Sequence, residues 1–256
     1  MLSKEQVQIF SKELKIDSFS IYREYLQLLF LKYFYELPKS NQIYFKGGTS
    51  IKFLYGSFRF SEDLDFSSIL SKEEIHTLIQ KAIKNLSKEL PVYFKKEESI
   101  AASFTGRIFQ EISDFSFPLT VRLDISLREK PIYIENNYIE TTFPISPYPL
   151  VVHLVAKEIL AEKIRALIIR GKGRDLFDIW FLLSKKIEID RDLVNLKMSL
   201  YNKKTDPKEI MNIIRKMSDQ EIKKDLTKFL PLNQRATVEK VKFWLIEKLE
   251  KYITKR

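Results

Sequence analysis

One stretch constrains this chain more than any other: Lys46-Gly47-Gly48-Thr49-Ser50, followed by Arg59-Phe60-Ser61-Glu62-Asp63-Leu64-Asp65-Phe66. Ile43-Tyr44-Phe45 is apolar and β-prone, so a short strand leads into a Gly-Gly turn, a short helix over 49–55 and a second strand over 59–67. Such a turn presents backbone N–H groups to a phosphate, because the first turn of a helix leaves its N–H groups unpaired. The chain holds only six glycines, and two adjacent ones here imply that something approaches the backbone closely. Asp63 and Asp65 point to the same side of their strand, about 7 Å apart. A phosphate cradle followed by paired carboxylates is what metal-assisted nucleotide chemistry requires.

Periodicity organises the rest. Residues 3–15 and 18–36 read as helices, the second with Ile21, Tyr25, Leu28, Leu29, Tyr33 and Phe34 at helical spacing and Asp17 or Ser18 as N-cap. Residues 72–89 form another amphipathic helix. Strands then begin at Val92 and at Ser103, and 119–127 alternates: Val121, Leu123 and Ile125 take one face, Arg122, Asp124 and Ser126 the other. Ile132-Tyr133-Ile134 and the run from Tyr138 to Phe143 read as a hairpin about Asn136-Asn137. Pro144, Pro147 and Pro149 read as a linker. Beyond it, helices are expected at 150–170, 175–184, 190–201, 207–216, 219–229 and 235–254. The fold class is therefore α+β, a mixed sheet flanked by helices and then an all-helical domain, divided as 1–148 and 149–256.

Charge follows the same division. Residues 1–150 hold 19 Lys/Arg and 19 Asp/Glu, whereas 151–256 hold 25 and 15. A near-neutral half suits chemistry, and a basic half suits a polyanion such as RNA. The absence of cysteine excludes disulfides and thiolate metal sites. No apolar run reaches the roughly 20 residues of a membrane span, and the start lacks a signal-peptide layout. A cytoplasmic protein is expected.

If the strands 59–67 and 119–127 are neighbours with these faces aligned, Asp63, Asp65 and Asp124 converge on one patch. Three carboxylates suit Mg²⁺, with Mn²⁺ also acceptable. Thr49 and Ser50 can add hydroxyl contacts to a triphosphate. Lys163 and the cluster Arg174-Asp175-Leu176-Phe177-Asp178 are a third group. By spacing alone it reads as structural, a surface lysine with Arg174 and Asp178 paired along a helix. His76 and His153 lack neighbouring ligands, and Trp180 and Trp244 read as core.

Taken together, Lys46-Gly47-Gly48-Thr49-Ser50 and Arg59-x-Ser61-x-Asp63-Leu64-Asp65-Phe66 resemble the first motif of the AbiEii/AbiGii-type nucleotidyltransferase toxins, of the DNA polymerase β-like superfamily. Asp124 resembles the third carboxylate, Glu162-Lys163-Ile164-Arg165-Ala166 the helical lysine motif, and Arg174-Asp175-Leu176-Phe177-Asp178 the closing motif. The resemblance implies that Asp63, Asp65 and Asp124 bind Mg²⁺ and that Gly48, Thr49 and Ser50 hold the triphosphate of an NTP. Gly47, Ser61 and Arg174 would lie on the nucleotide side as well. Lys163 would contact phosphates and Asp178 support the site, so that 149–256 contributes to the chemistry of 1–148. It further implies transfer of a nucleotide to an acceptor, RNA and in some members tRNA, and a neutralising antitoxin partner. A protein hydroxyl as acceptor, a metal-dependent nuclease and a non-catalytic nucleic-acid-binding module are the alternatives.

Overall fold

Short polar residues start the first two helices. In the computed structural model of the protein, which describes residues 1–98, 102–204 and 206–254 (the side chains of 252–254 excepted), Ser3 and Gln6 close a capping box on α1 (Lys4–Leu14). Asp17 accepts from the Ser20 N–H and opens α2 (Ser18–Tyr35). Ile21, Tyr25, Leu26, Leu28, Leu29, Phe30, Leu31 and Phe34 bury α2 on nearly every side, as an all-round apolar helix demands. There follow β1 (Ile43–Lys46), α3 (Gly47–Tyr55), β2 (Asp63–Ser68), α4 (Lys72–Leu86), β3 (Val92–Glu97), β4 (Ser103–Gln110), β5 (Leu119–Ser126), β6 (Ile134–Tyr138) and β7 (Leu150–Leu154).

Among the described residues the strands form one mixed sheet in the order β3-β4-β5-β2-β1-β7-β6. β2 runs parallel to β5 and β1 parallel to β7; the other neighbours are antiparallel. Leu64, Phe66, Phe104, Ile108, Val121, Leu123 and Ile125 make one face, each at most 1 % exposed. The helices α2 and α4 pack on that side. Burying each of Val121, Leu123 and Ile125 is worth about 1.5–3 kcal/mol. A one-residue slip of β5 would turn Arg122 and Asp124 into the core instead, so the alternation pins Asp124 to the open face.

Three local expectations are corrected. Asn136 and Asn137 lie inside the single strand β6, which pairs with β7, and not at a hairpin tip. Two asparagines without a glycine make a poor two-residue turn, and Asn137 instead bonds His153 across the strand pair. The proline-rich stretch is a packed connection, with Phe143 and Ile145 buried and Lys32 Nζ donating to the Ser146 carbonyl at 2.8 Å. Residues 150–154 form a strand, so the helix expected from 150 starts at Ala156; Val151 and Val152 are β-branched and favour the sheet. The two compact units are accordingly Met1–Leu154 and Val155–Arg256, dividing six residues later than the expected 148/149.

The second unit contains only helices among its described residues: α5 (Ala156–Arg170), α6 (Gly173–Ser184), α7 (Arg191–Ser199), α8 (Pro207–Lys216), α9 (Asp219–Leu226) and α10 (Thr237–Thr254). Its core is Ile159, Leu160, Ile164, Leu176, Phe177, Leu182, Met198, Leu226 and Leu245. Trp180 stacks on Trp244 at 5.4 Å between ring centroids.

Candidate functional site

In the first unit, β1 passes directly into α3 at Gly47. Gly47 has φ +80°, a left-handed value that side chains disfavour. A Cβ there would stand 2.1 Å from Asp65 Oδ2 and 2.7 Å from Asp65 Cβ; one on Gly48 would stand 2.3 Å from Arg59 Nη2 and 3.2 Å from Ser61 Oγ. The close approach implied by the glycine pair is thus made by the chain's own Asp65 and Arg59. Thr49 and Ser50 are fully buried. Thr49 Oγ1 donates to the Asp63 carbonyl at 2.5 Å and Ser50 Oγ to the Gly47 carbonyl at 2.9 Å. These hydroxyls hold the turn together and do not stand open to a triphosphate. The N-cap residue of α3, Lys46, makes no side-chain cap bond, unlike Ser3, Asp17 and Ser71 at the starts of α1, α2 and α4, and the first-turn N–H groups of a helix carry positive partial charge.

The register brings the acids together. Asp65 lies directly opposite Asp124 on the parallel neighbour β5, and opposite Lys46 on β1. Asp63, two residues earlier on the same face, lies opposite Arg122. Arg122 Nη2 is 3.5 Å from Asp124 Oδ2, and both side chains are 41 % exposed. Lys46 is 7 % exposed. Neither Lys46 nor Arg122 stood out as a site residue from sequence; only the register shows them flanking the carboxylates. Among the described residues no three His, Cys, Asp or Glu close into a ready metal cage.

The loop between α3 and β2 buries Ser57, Arg59 and Phe60 where a strand was expected to begin. Arg59 is 2 % exposed, its Nη1 donating to the Phe60 carbonyl at 2.9 Å and its N–H to Ser57 Oγ. Lys52 Nζ sits 3.7 Å from the centre of the Phe60 ring and 3.4 Å from Glu24 Oε2. Burial pushes the Glu24 carboxyl up from its ordinary range, against the pull of Lys52. Gln27 Nε2 donates to the Ser61 carbonyl at 3.1 Å, which fixes Ser61 beside Gly48.

In the second unit Lys163 and Asp178 meet. Lys163 Nζ is 2.7 Å from Asp178 Oδ2 and 3.5 Å from Asp175 Oδ1, with Lys163 10 % exposed and both carboxylates 0 %. Arg170 grips Asp175 through Nε and Nη2 at 2.7 and 2.8 Å. Arg174 does not pair with Asp178 as its spacing suggested. It binds Asp225, through Nε at 3.3 Å and its N–H at 3.1 Å, and lies over Phe229. Lys163 is thus no solvated surface charge. A second buried group was not anticipated: Lys197 Nζ is 2.7 Å from Glu158 Oε1 and 3.5 Å from Glu162 Oε1. Its signal was present in Glu158 and Glu162, four apart within an apolar helical run.

The model of the family described as "Nucleotidyl transferase AbiEii toxin, Type IV TA system" matches residues 29–246. Among solved structures, a candidate nucleotidyltransferase from H. pylori is similar with a TM-score of 0.62 at 21 % identity, over 92 % of this chain and 95 % of that one. JHP933 from Helicobacter pylori is similar with a TM-score of 0.58 at 21 % identity, over 94 % and 97 %. At that identity the likeness concerns the fold. No curated protein matches the chain. The sheet with its facing carboxylates, the helical lysine pair and a family model spanning most of both units lead to one assignment: the chain belongs to the AbiEii family of nucleotidyltransferase toxins of type IV toxin–antitoxin systems.

Proposed function

We propose that this nucleotidyltransferase moves a nucleotide from an NTP onto the 3′ end of an RNA, tRNA above others, and that this transfer is its toxic act. The observation that carries the reading is Asp65 and Asp124 in register on adjacent parallel strands, with Asp63 on the same open face. An all-oxygen donor set suits Mg²⁺ or Mn²⁺, which proteins hold by one or two carboxylates while substrate phosphates complete the shell. Bound there, the cation would neutralise charge on the triphosphate and activate the attacking oxygen.

The chain's own groups do the positioning. First-turn N–H groups of α3 take phosphate oxygens, and Arg122 orients Asp124. In the second unit Asp178 and Asp175 hold the Lys163 ammonium in a fixed position. In the transfer, the RNA hydroxyl oxygen bonds to the α-phosphorus as the α–β bridging P–O bond breaks. Pyrophosphate leaves with the electron pair, and the hydroxyl proton passes to a carboxylate of the set. Alignment and charge stabilisation suffice for this chemistry. An antitoxin partner and action in the cytoplasm accompany the reading; no helix of the described residues is long and apolar enough to cross a membrane.

Incubating the protein with each labelled NTP and total RNA, then analysing RNA and protein by mass spectrometry, tests it. Wild type should label RNA, and Asp63→Ala should leave only background. Label on protein, RNA cleavage without NTP, or undiminished transfer by Asp63→Ala would each overturn the reading.

A further inference from the structure

The open face that carries the acids continues beyond them. Across the sheet, Asp63 is followed in register by Arg122 on β5, Arg107 on β4 and Lys95 on β3. Neighbouring strands are about 4.8 Å apart, so this row of three cations runs roughly 14 Å away from Asp63. Lys95 is exposed and the Arg107 side chain 41 % exposed. One step further along the strands, Tyr93 and Phe109 lie opposite each other, stacked at 4.9 Å and 6°. Tyr93 is 49 % exposed.

The acids nearby do not cancel the row. Arg107 Nε is 2.5 Å from Glu97 Oε1, and Arg122 Nη2 is 3.5 Å from Asp124 Oδ2. Each guanidinium has five N–H donors, so one carboxylate leaves most of its fork available to another anion. A row of cations ending at a half-exposed aromatic stack, and starting at the carboxylates, has the chemistry of a single-stranded nucleic-acid track: phosphates on the cations, a splayed base on the ring.

We propose that Lys95, Arg107 and Arg122, with Tyr93 on its Phe109 support, hold the 3′-terminal nucleotides of a single-stranded RNA acceptor and lead its hydroxyl to Asp63. This deepens the RNA-transfer reading and rests on it. The sheet thereby carries local acceptor recognition, a role the charge distribution alone had given to the basic C-terminal unit.

The test uses the full chain and a short 5′-labelled single-stranded RNA, titrated without NTP across a salt series. Lys95→Ala/Arg107→Ala should lower the slope of log affinity against log salt by about 1.4, the value for two phosphate contacts to a single strand. Tyr93→Ala should weaken binding roughly tenfold. In transfer assays both should raise KM for RNA and leave KM for NTP and kcat at saturating RNA unchanged. Lys81→Ala/Lys84→Ala, which removes two exposed charges from α4 on the other side of the sheet, is the control for net charge. Unchanged affinity and slope in the sheet variants, or an equal loss in the control, would overturn the inference. Because binding is read without NTP, RNA binding through the sheet combined with label appearing on protein would sink the transfer reading alone.

Discussion

Replacing Gly47 by alanine is the sharpest probe of how the turn and the carboxylates are built together. Two costs can be separated. The first is conformational: an L side chain at φ +80° costs about 1–2 kcal/mol in the left-handed region. For a chain of this size that corresponds to a fall in Tm of roughly 2–8 °C. The second is steric and local. The new Cβ would meet Asp65 Oδ2 at 2.1 Å and Cγ at 2.7 Å, and also Asp65 Cβ at 2.7 Å. Rotating the Asp65 side chain relieves the first two contacts but cannot relieve the third, because Cβ is fixed by the backbone of β2. The strand or the turn must therefore shift, and the Asp65 carboxylate moves with it. A displacement near 1 Å at a positioned catalytic group costs on the order of a hundredfold in rate.

The expected result is accordingly a modest loss of stability with a much larger loss of nucleotide transfer, read by thermal unfolding and by pyrophosphate release on the same preparation. Gly48→Ala provides the comparison. Its Cβ meets first the guanidinium of Arg59 at 2.3 Å and the Ser61 hydroxyl at 3.2 Å, without positive φ, so Arg59 must shift while the carboxylates stay in place, and transfer should fall less. In the Asp65→Ala background the stability cost of Gly47→Ala should shrink without vanishing, since Asp65 Oδ2 and Cγ are gone while the backbone strain and the Cβ contact remain. Nearly full activity in Gly47→Ala at an unchanged Tm would refute the idea that Asp65 is seated against this turn. So would an activity loss no larger than the fraction unfolded.

Two further predictions concern buried polar groups. Lys163→Met leaves Asp178 and Asp175 buried without their lysine and should cost about 3–5 kcal/mol in denaturant unfolding, much of it restored in Lys163→Met/Asp178→Leu; a loss under about 1 kcal/mol would show that the pair is solvated. His153 is fully buried, bonded to Asn137 and the Leu154 carbonyl, and burial lowers its pKa below the usual 6.5 despite that carbonyl and Glu135. The unfolded chain therefore binds this proton more readily, so stability present above pH 6.5 is lost as pH falls through 6.5 toward the depressed value; Tm between pH 7.5 and 5.5 should fall less in His153→Gln, and an equal fall would remove His153 as the cause.

Much of the site was legible because its pattern is local. The alternation in β5 both identifies the strand and assigns Asp124 to the face opposite Val121, Leu123 and Ile125. Asp63 and Asp65 need only two residues of spacing to share a side. What escaped depends on partners distant in the chain. Nothing near Gly47 says that Asp65 fills the space a Cβ would take, or that Thr49 and Ser50 turn inward to backbone carbonyls. Arg174 looked paired with Asp178 because helical spacing is visible and Asp225 is not. Residues 150–154 join an apolar helical run in the sequence, yet the open edge of β1 captures them as a strand. The pairing of Lys197 with Glu158 had a trace in sequence, since carboxylates on an apolar stripe require a buried cation.

The burial of these charges changes what the basic C-terminal half means. Among its described residues the buried charged side chains are Glu158, Glu162, Asp175 and Asp178 against Lys163 and Lys197. Four acids and two lysines leave the solvent, so the exposed surface of this unit is more basic than its 25 to 15 balance of Lys/Arg to Asp/Glu. A surplus of that kind acts at a distance: it attracts a polyanion and raises its encounter rate, with a strong dependence on salt and little demand on geometry. Positioning a 3′ hydroxyl needs the reverse, a few cations and a ring in fixed register with the reacting acids. The row Lys95–Arg107–Arg122, held by strand pairing to Asp63, has that property. Under the proposed RNA transfer the two features would therefore serve different steps, capture and alignment. Salt should slow capture most, whereas loss of the sheet cations should raise the RNA concentration needed for transfer even when salt is low.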